Sequence, residues 1–263
     1  MDLFFRLIKF IQHFVTSKRK GHGVHSDFIY RFLEQSVYAD YKHYFFEKVS
    51  EVRHKLKHNQ SEVHVEDFGA GSKIFGKSAK RRISDIYKTS SSPHWKSCLY
   101  FRMLNYLKCK NILELGTNLG INAFTLSGLG KDVNIVTVEG SEELCRHAEN
   151  LMLEYHIPNV RIYHQHFDDF LEQYDLSCTD AVIIDGNHKG EALKRYTQKI
   201  MSDSTELKII ILDDIYWSKD MYDGWRVLQV QSESSFIFLD FYHFGVILKK
   251  NDLMEKKYYR LFV

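Results

Sequence analysis

The 263 residues are 44% hydrophobic and 27% charged, with only two prolines. That composition excludes a disordered chain and leaves room for a sizeable core in one large domain, or one domain with an appendage. The net charge of +2 hides an asymmetry: residues 1–110 carry 21 Lys and Arg against 10 Asp and Glu, whereas residues 111–263 carry 15 against 24. A basic front (1–110) and an acidic back (111–263) are therefore read as two segments; the front either meets an anionic partner or packs against the back. Cys98, Cys109, Cys145 and Cys178 show neither CxxC spacing nor a metal-ligand rhythm, which argues for thiols in a reducing compartment. No uncharged run approaches the roughly 18 residues of a membrane span, so a cytoplasmic protein is expected.

In chain order, Leu3, Phe4, Leu7, Ile8, Ile11, Phe14 and Val15 share one face of a helix, with charges opposite. Docking on its own domain or on a second subunit, as in a homodimer, is the plainer reading. The sharper one is a peripheral membrane contact through residues 2–17, since basic residues flank a Phe-rich face. Helices are predicted over 27–37 and 45–56, joined to the first by a connection that includes KGHGVHSDF. After residue 110 short β-rich runs (111–115, 134–139, 160–164, 180–185 and 207–212) alternate with helical stretches (121–129, 141–155, 167–174 and 191–201). Runs at 236–241 and 245–249 follow with a short turn between them. The alternation predicts an α/β fold: a doubly wound, mostly parallel seven-stranded sheet with an antiparallel C-terminal hairpin, preceded by a helical N-terminal extension.

Two stretches, VEDFGAGS (65–72) and ILELGTNLGIN (112–122), read as a strand entering a glycine turn. A nucleotide-cofactor site needs such a turn, where backbone amides approach the ligand, and a second strand ending in a carboxylate for the ribose. The second stretch has its partner in NIVTVE, which ends at Glu139. The first is followed by a polar, basic segment with no β-like run. The stretch from Glu114 through Gly116 and Gly120, taken with Glu139, resembles the first two motifs of class I S-adenosylmethionine-dependent methyltransferases. Its E-x-G-x-x-x-G spacing is similar to the O-methyltransferase branch, and the likeness covers about 150 residues. The resemblance implies that Glu114, Gly116, Thr117, Asn118, Gly120 and Asn122 serve the methionine end of S-adenosylmethionine and that Glu139 grips the ribose. It also implies that Gln165, His166 and Phe167 lie near the adenine. An acidic residue is common where His166 stands, so His166 departs from the pattern.

Asp185, Asp213 and Asp214 close two strands on the side where such sheets bind ligands. Three carboxylates there suit Mg²⁺ or a similar divalent ion; the bland alternative is that they cap the helices that follow. His188, three residues after Asp185, is placed to take a proton at neutral pH, unless it is only a solvated turn residue. The D-x-x-H and later D-D pattern resembles the metal-dependent O-methyltransferases of the catechol and macrolide-sugar types. That resemblance implies Asp185, Asp213 and Asp214 as metal ligands, Asp185 also beside the cofactor, and His188 as general base toward a small hydroxylated acceptor. Tyr216, Trp217, Tyr222 and Trp225 either wall the acceptor or belong to the core. GHGVHS and DFGAGS also resemble segments of uncharacterised bacterial methyltransferases. Gly69 and Gly71 with the lysines and arginines of 73–82 read as a lid over an anionic acceptor, or as a solvated basic loop. An RNA methyltransferase using the basic front and a membrane-docked protein without turnover are the rival readings; no nucleic-acid-binding module supports the first.

Overall fold

The computed structural model describes residues 2–19, 24, 26–66, 78–250 and 257–262. The chain forms two compact units, residues 1–39 with 176–263, and residues 40–175. The discontinuous unit opens with α1 (Asp2–Thr16), β1 (Lys18–Arg19) and α2 (Asp27–Phe32), which continues into a π-helical turn over Leu33–Val37. α2 begins at Ser26, whose hydroxyl accepts from the Ile29 amide.

The continuous unit runs α3 (Phe45–His58), β2 (Glu62–Glu66), β3 (Ser78–Arg82), α4 (Ile83–Ser90), α5 (His94–Tyr106) and β4 (Asn111–Leu115). It continues with α6 (Ile121–Ser127), β5 (Asn134–Glu139), α7 (Glu142–Glu154), β6 (Val160–His164) and α8 (Phe167–Gln173). β4, β5 and β6 are parallel neighbours, with Leu113 opposite Val136 and Thr137 opposite Ile162. β4 and β5 are near-continuously buried, as parallel strands covered on both faces must be. α3 lies against α6, where Phe45 and Phe124 bring their rings to 5.3 Å. Gly128 leaves that space: a β-carbon there would stand 2.4 Å from the Phe45 ring. β2 and β3 form a separate antiparallel hairpin, Glu62 opposite Arg82 and Glu66 opposite Ser78. The basic segment read as lacking a strand thus supplies β3, because pairing with β2 fixes an extended backbone that its own lysines and arginines do not advertise. Residues 67–77, with Gly69 and Gly71, lie outside the described residues, so the reading of that stretch as a lid does too.

The discontinuous unit resumes with β7 (Ala181–Ile184), α9 (Gly190–Asp203), β8 (Ile209–Asp213), α10 (Lys219–Gln231), β9 (Phe236–Asp240), β10 (Phe244–Lys249) and β11 (Lys257–Phe262). Its strands lie in the order β1-β11-β9-β10-β8-β7. β7 and β8 are parallel, and β10 runs antiparallel to both β8 and β9. This is the doubly wound α/β class with the expected antiparallel hairpin, and β4 to β10 are the seven runs expected. β11, parallel to β9, and β1, parallel to β11, extend it beyond the seven. α10 was not anticipated; it fills the connection between β8 and β9. Trp225 on α10 is fully buried between Phe238 of β9 and the bare backbone of Gly245 on β10. α9 and α10 meet with backbones almost touching, since a β-carbon on Gly190 would stand 2.2 Å from the Asp220 carbonyl oxygen. Among the described residues no helix is long and apolar enough to cross a membrane.

Candidate functional site

The turn from β4 to α6 is built on backbone that ordinary side chains resist. Gly116 has φ 114° and Gly120 φ 76°, and Asn118 between them is left-handed at φ 50°. At Gly120 a β-carbon would also stand 2.9 Å from the Ala148 β-carbon on α7, so glycine is required twice over. Glu139, at the carboxyl end of β5, closes this turn. One of its oxygens accepts from the Asn118 amide at 2.9 Å and the other from the Ser141 amide at 3.0 Å. The expected pairing of a glycine turn with a carboxylate on the next strand is therefore present in one unit.

Behind the turn, Glu114 is fully buried. It accepts from the Asn122 side-chain nitrogen at 2.7 Å and from the Thr137 hydroxyl at 2.6 Å, and the hydroxyls of Thr117 and Thr137 lie 2.7 Å apart. Burial pushes the Glu114 carboxyl up to about 7; the Thr137 and Asn122 bonds pull the other way, and the nearby Glu139 charge adds to the rise. Four residues read as cofactor ligands, Glu114, Thr117, Asn122 and Asn118, thus divide their work. The first three form a buried polar brace, and Asn118 ties the turn to α4 by donating to the Ser90 carbonyl at 2.6 Å.

The bonds made by both asparagine amides orient them and leave the carbonyl ends unused: Oδ1 of Asn118 and Oδ1 of Asn122 are buried without a hydrogen-bond partner. Buried acceptors without a donor cost free energy. His166 caps α8, exposed, with half-buried Phe167 following it, and the Gln165 amide donates to the Glu139 carbonyl. Two contributors escaped the sequence reading. Ser90 holds Asn118, and Ser141 receives the Glu66 amide of β2 as well as serving Glu139. The GSEE cap motif signalled Ser141; nothing local signalled Ser90.

In the discontinuous unit, Asp185 follows β7 and is half-buried. Asp213 ends β8, buried, and accepts from the Asp214 amide at 2.8 Å. Asp214 turns into the left-handed region at φ 51° and gives the same amide to the His243 carbonyl. Among the described residues, no three His, Cys, Asp or Glu side chains come together to hold a metal ion. The expected Mg²⁺ site at Asp185, Asp213 and Asp214 is therefore not shown.

His188 sits on the β7–α9 turn beside left-handed Asn187, with Trp217 5.8 Å away between ring centres. Of the four aromatics that could wall an acceptor, Trp225 is core, and buried Tyr216 spends its hydroxyl on Asp240 at 2.7 Å. Tyr222 packs on Tyr216, leaving Trp217 as the exposed ring beside His188.

Residues 113–215 match the family model described as a methyltransferase domain. Solved structures with this fold include the methyltransferase PaMTH1 of Podospora anserina bound to SAH (18% identity, TM-score 0.55, covering 62% of this chain and 81% of that one). The O-methyltransferase TomG of Streptomyces achromogenes in complex with SAM has 14% identity and a TM-score of 0.55, over 84% of this chain and 98% of that one. An O-methyltransferase of Bacillus cereus in complex with SAH has 15% identity and a TM-score of 0.54, over 82% and 96%. No curated protein matches the chain. At these identities the likenesses establish the fold.

Proposed function

We propose that the protein, whose residues 113–215 match the family model of a methyltransferase domain, is an S-adenosylmethionine-dependent O-methyltransferase acting on a small hydroxylated acceptor. The observation that carries the cofactor assignment is the glycine turn clasped by Glu139, with the buried Oδ1 atoms of Asn118 and Asn122 left for a donor. S-adenosylmethionine, when bound, supplies an electrophilic methyl group on a sulfonium. Glu139 would accept from the ribose hydroxyls, Asn118 and Asn122 would receive the cofactor's ammonium group, and the Glu114–Thr137–Thr117 brace would hold the turn in place.

His188 would take the proton of the acceptor hydroxyl at a ring nitrogen, a role supported by its place on the β7–α9 turn beside exposed Trp217. Trp217 offers a flat apolar face for an aromatic or sugar-ring acceptor. O-methylation, rather than methylation at another atom, rests on the motif spacing and on the O-methyltransferases that share the fold.

The deciding experiment is calorimetric titration with S-adenosylmethionine, with and without Mg²⁺, followed by a methyl-transfer assay against a panel of phenols and diols. Saturable cofactor heat and transfer to oxygen support the proposal. Absence of any cofactor heat refutes it.

A further inference from the structure

α1 is docked with its polar face inward. His13 is almost wholly buried, its Nε2 reaching the Asp240 carbonyl at 3.1 Å and the Asp240 carboxylate at 3.2 Å. The Tyr242 hydroxyl donates to the Arg6 carbonyl, and Arg260 donates to Thr16. On the opposite face Leu3, Phe4, Leu7, Ile11 and Val15 recur at three- and four-residue spacing, an apolar stripe turned to solvent. This orientation carries two cations onto the folded protein. The Arg6 guanidinium lies over the Trp217 ring at 5.1 Å, and the Lys9 ammonium lies over Tyr222 at 4.3 Å. Both residues are half-buried, and neither is paired with a carboxylate among the described residues. Like charges three residues apart on one helix repel, and partial burial without a counter-ion adds to the cost. The aromatic faces offset only part of it.

We propose that Arg6 is a specificity-determining residue that receives the carboxylate of a ring-bearing hydroxy acid, so that the acceptor is an anion. The inference rests on the reading of His188 and Trp217 as the acceptor site, and it names the acceptor's class. Trp217 is the shared platform: the guanidinium lies over its ring, and the His188 ring stands 5.8 Å from it between centres. Imidazole and guanidinium are therefore separated by no more than those two distances laid end to end. A hydroxyl and a carboxylate at opposite ends of one aromatic acid fit within that span. Contact with the indole face uses the charge of the guanidinium but leaves its N–H fork, which matches the two oxygens of a carboxylate, for a ligand. Lys9, about one helical turn further on, adds a second positive charge to the same side of α1. The buried His13 contact and the Tyr242 bond to the Arg6 carbonyl fix the helix, so the cation is presented by an anchored element. A neutral phenol or sugar would leave both charges without a use.

The test is calorimetric titration of the full chain, loaded with S-adenosylhomocysteine, with para-hydroxybenzoate and para-hydroxycinnamate, each as the free acid and as the neutral methyl ester. Its companions are Arg6→Gln, which removes the charge, and Arg6→Lys, which keeps it, both checked by thermal melt. The natural chain should bind the acids about tenfold or more tightly than the esters, a preference that high salt narrows. Arg6→Gln should abolish the preference while leaving ester affinity unchanged, and Arg6→Lys should retain part of it. No binding of either acid, equal affinity for acid and ester, or a preference that survives Arg6→Gln would overturn the proposal. The acid titration is repeated without S-adenosylhomocysteine, so a failure of cofactor binding is told apart from a failure here. Arg6-dependent binding of the acids without methyl transfer upholds the carboxylate site and refutes the transfer reading.

Discussion

Replacing Glu114 by Gln tests the buried brace behind the glycine turn. The folded protein holds the Glu114 carboxyl at about 7, against an ordinary value of 4.5. Below about pH 4.5 folded and unfolded chains are both protonated there, and the group has no effect on stability. Between 4.5 and 7 the unfolded chain gives up the proton while the folded chain keeps it, so stability falls as pH rises; above 7 the loss is complete. With each unit of difference equivalent to about 1.4 kcal/mol, the loss amounts to about 3 kcal/mol. Gln keeps the shape: its oxygen accepts from Asn122, and its amide donates to Thr137, whose hydroxyl turns toward Thr117 2.7 Å away. The variant has no proton to lose. Thermal melts of the cofactor-free protein from pH 5 to pH 8, a window that holds about 2.5 kcal/mol of that loss, should therefore show the natural chain losing roughly 5–10 °C more than the variant, at 2–4 °C per kcal/mol for a chain of this size. Superimposable pH profiles would refute the account of Glu114 as a strained, buried acid.

Glu139→Ala should weaken S-adenosylmethionine binding by about 1.5–3 kcal/mol, read by calorimetry, because a charged acceptor of two hydrogen bonds is lost. Gly120→Ala should destabilise the fold by at least the roughly 1–2 kcal/mol of a left-handed side chain, with more from the contact with Ala148, as a lowered midpoint in urea unfolding. His13→Ala should cost about 1–3 kcal/mol by the same measurement, since it strips a hydrogen-bond partner from the fully buried Asp240. His188→Ala should lower turnover and leave cofactor affinity nearly unchanged; a collapse of affinity would make His188 a structural residue.

What could be read from the sequence was what is local. β4 to β10 and the Gly116–Gly120 turn announce themselves through apolar runs and glycines, and Glu139 through its place at the end of the next strand. β3 was hidden because its extended form depends on pairing with β2 and not on its own lysines and arginines. α10 was hidden because its aromatics read as a substrate wall; Trp225 belongs to the core, and the spacing of Met221, Trp225 and Leu228 carries the helical period. Position at a strand end fixes where a backbone stops, but not which way a carboxylate turns, and Asp213 accepts from its neighbour's amide. The stripe of α1 was legible as amphipathic, whereas its outward orientation depends on Asp240, 227 residues from His13.

That separation sets an order of events during synthesis. The Asp240 carboxylate gathers His13, Tyr216, Tyr258 and the Tyr242 amide, drawing on both ends of the chain. α1 leaves the ribosome well ahead of its anchor, which follows only after more than 220 further residues, a wait of roughly 10–45 s at ordinary rates of elongation. Until then both faces of the helix are without their folded partner, and the apolar stripe is at its most adhesive. This unit completes its fold only after the segment around Asp240 has emerged, while residues 40–175 can close on themselves earlier.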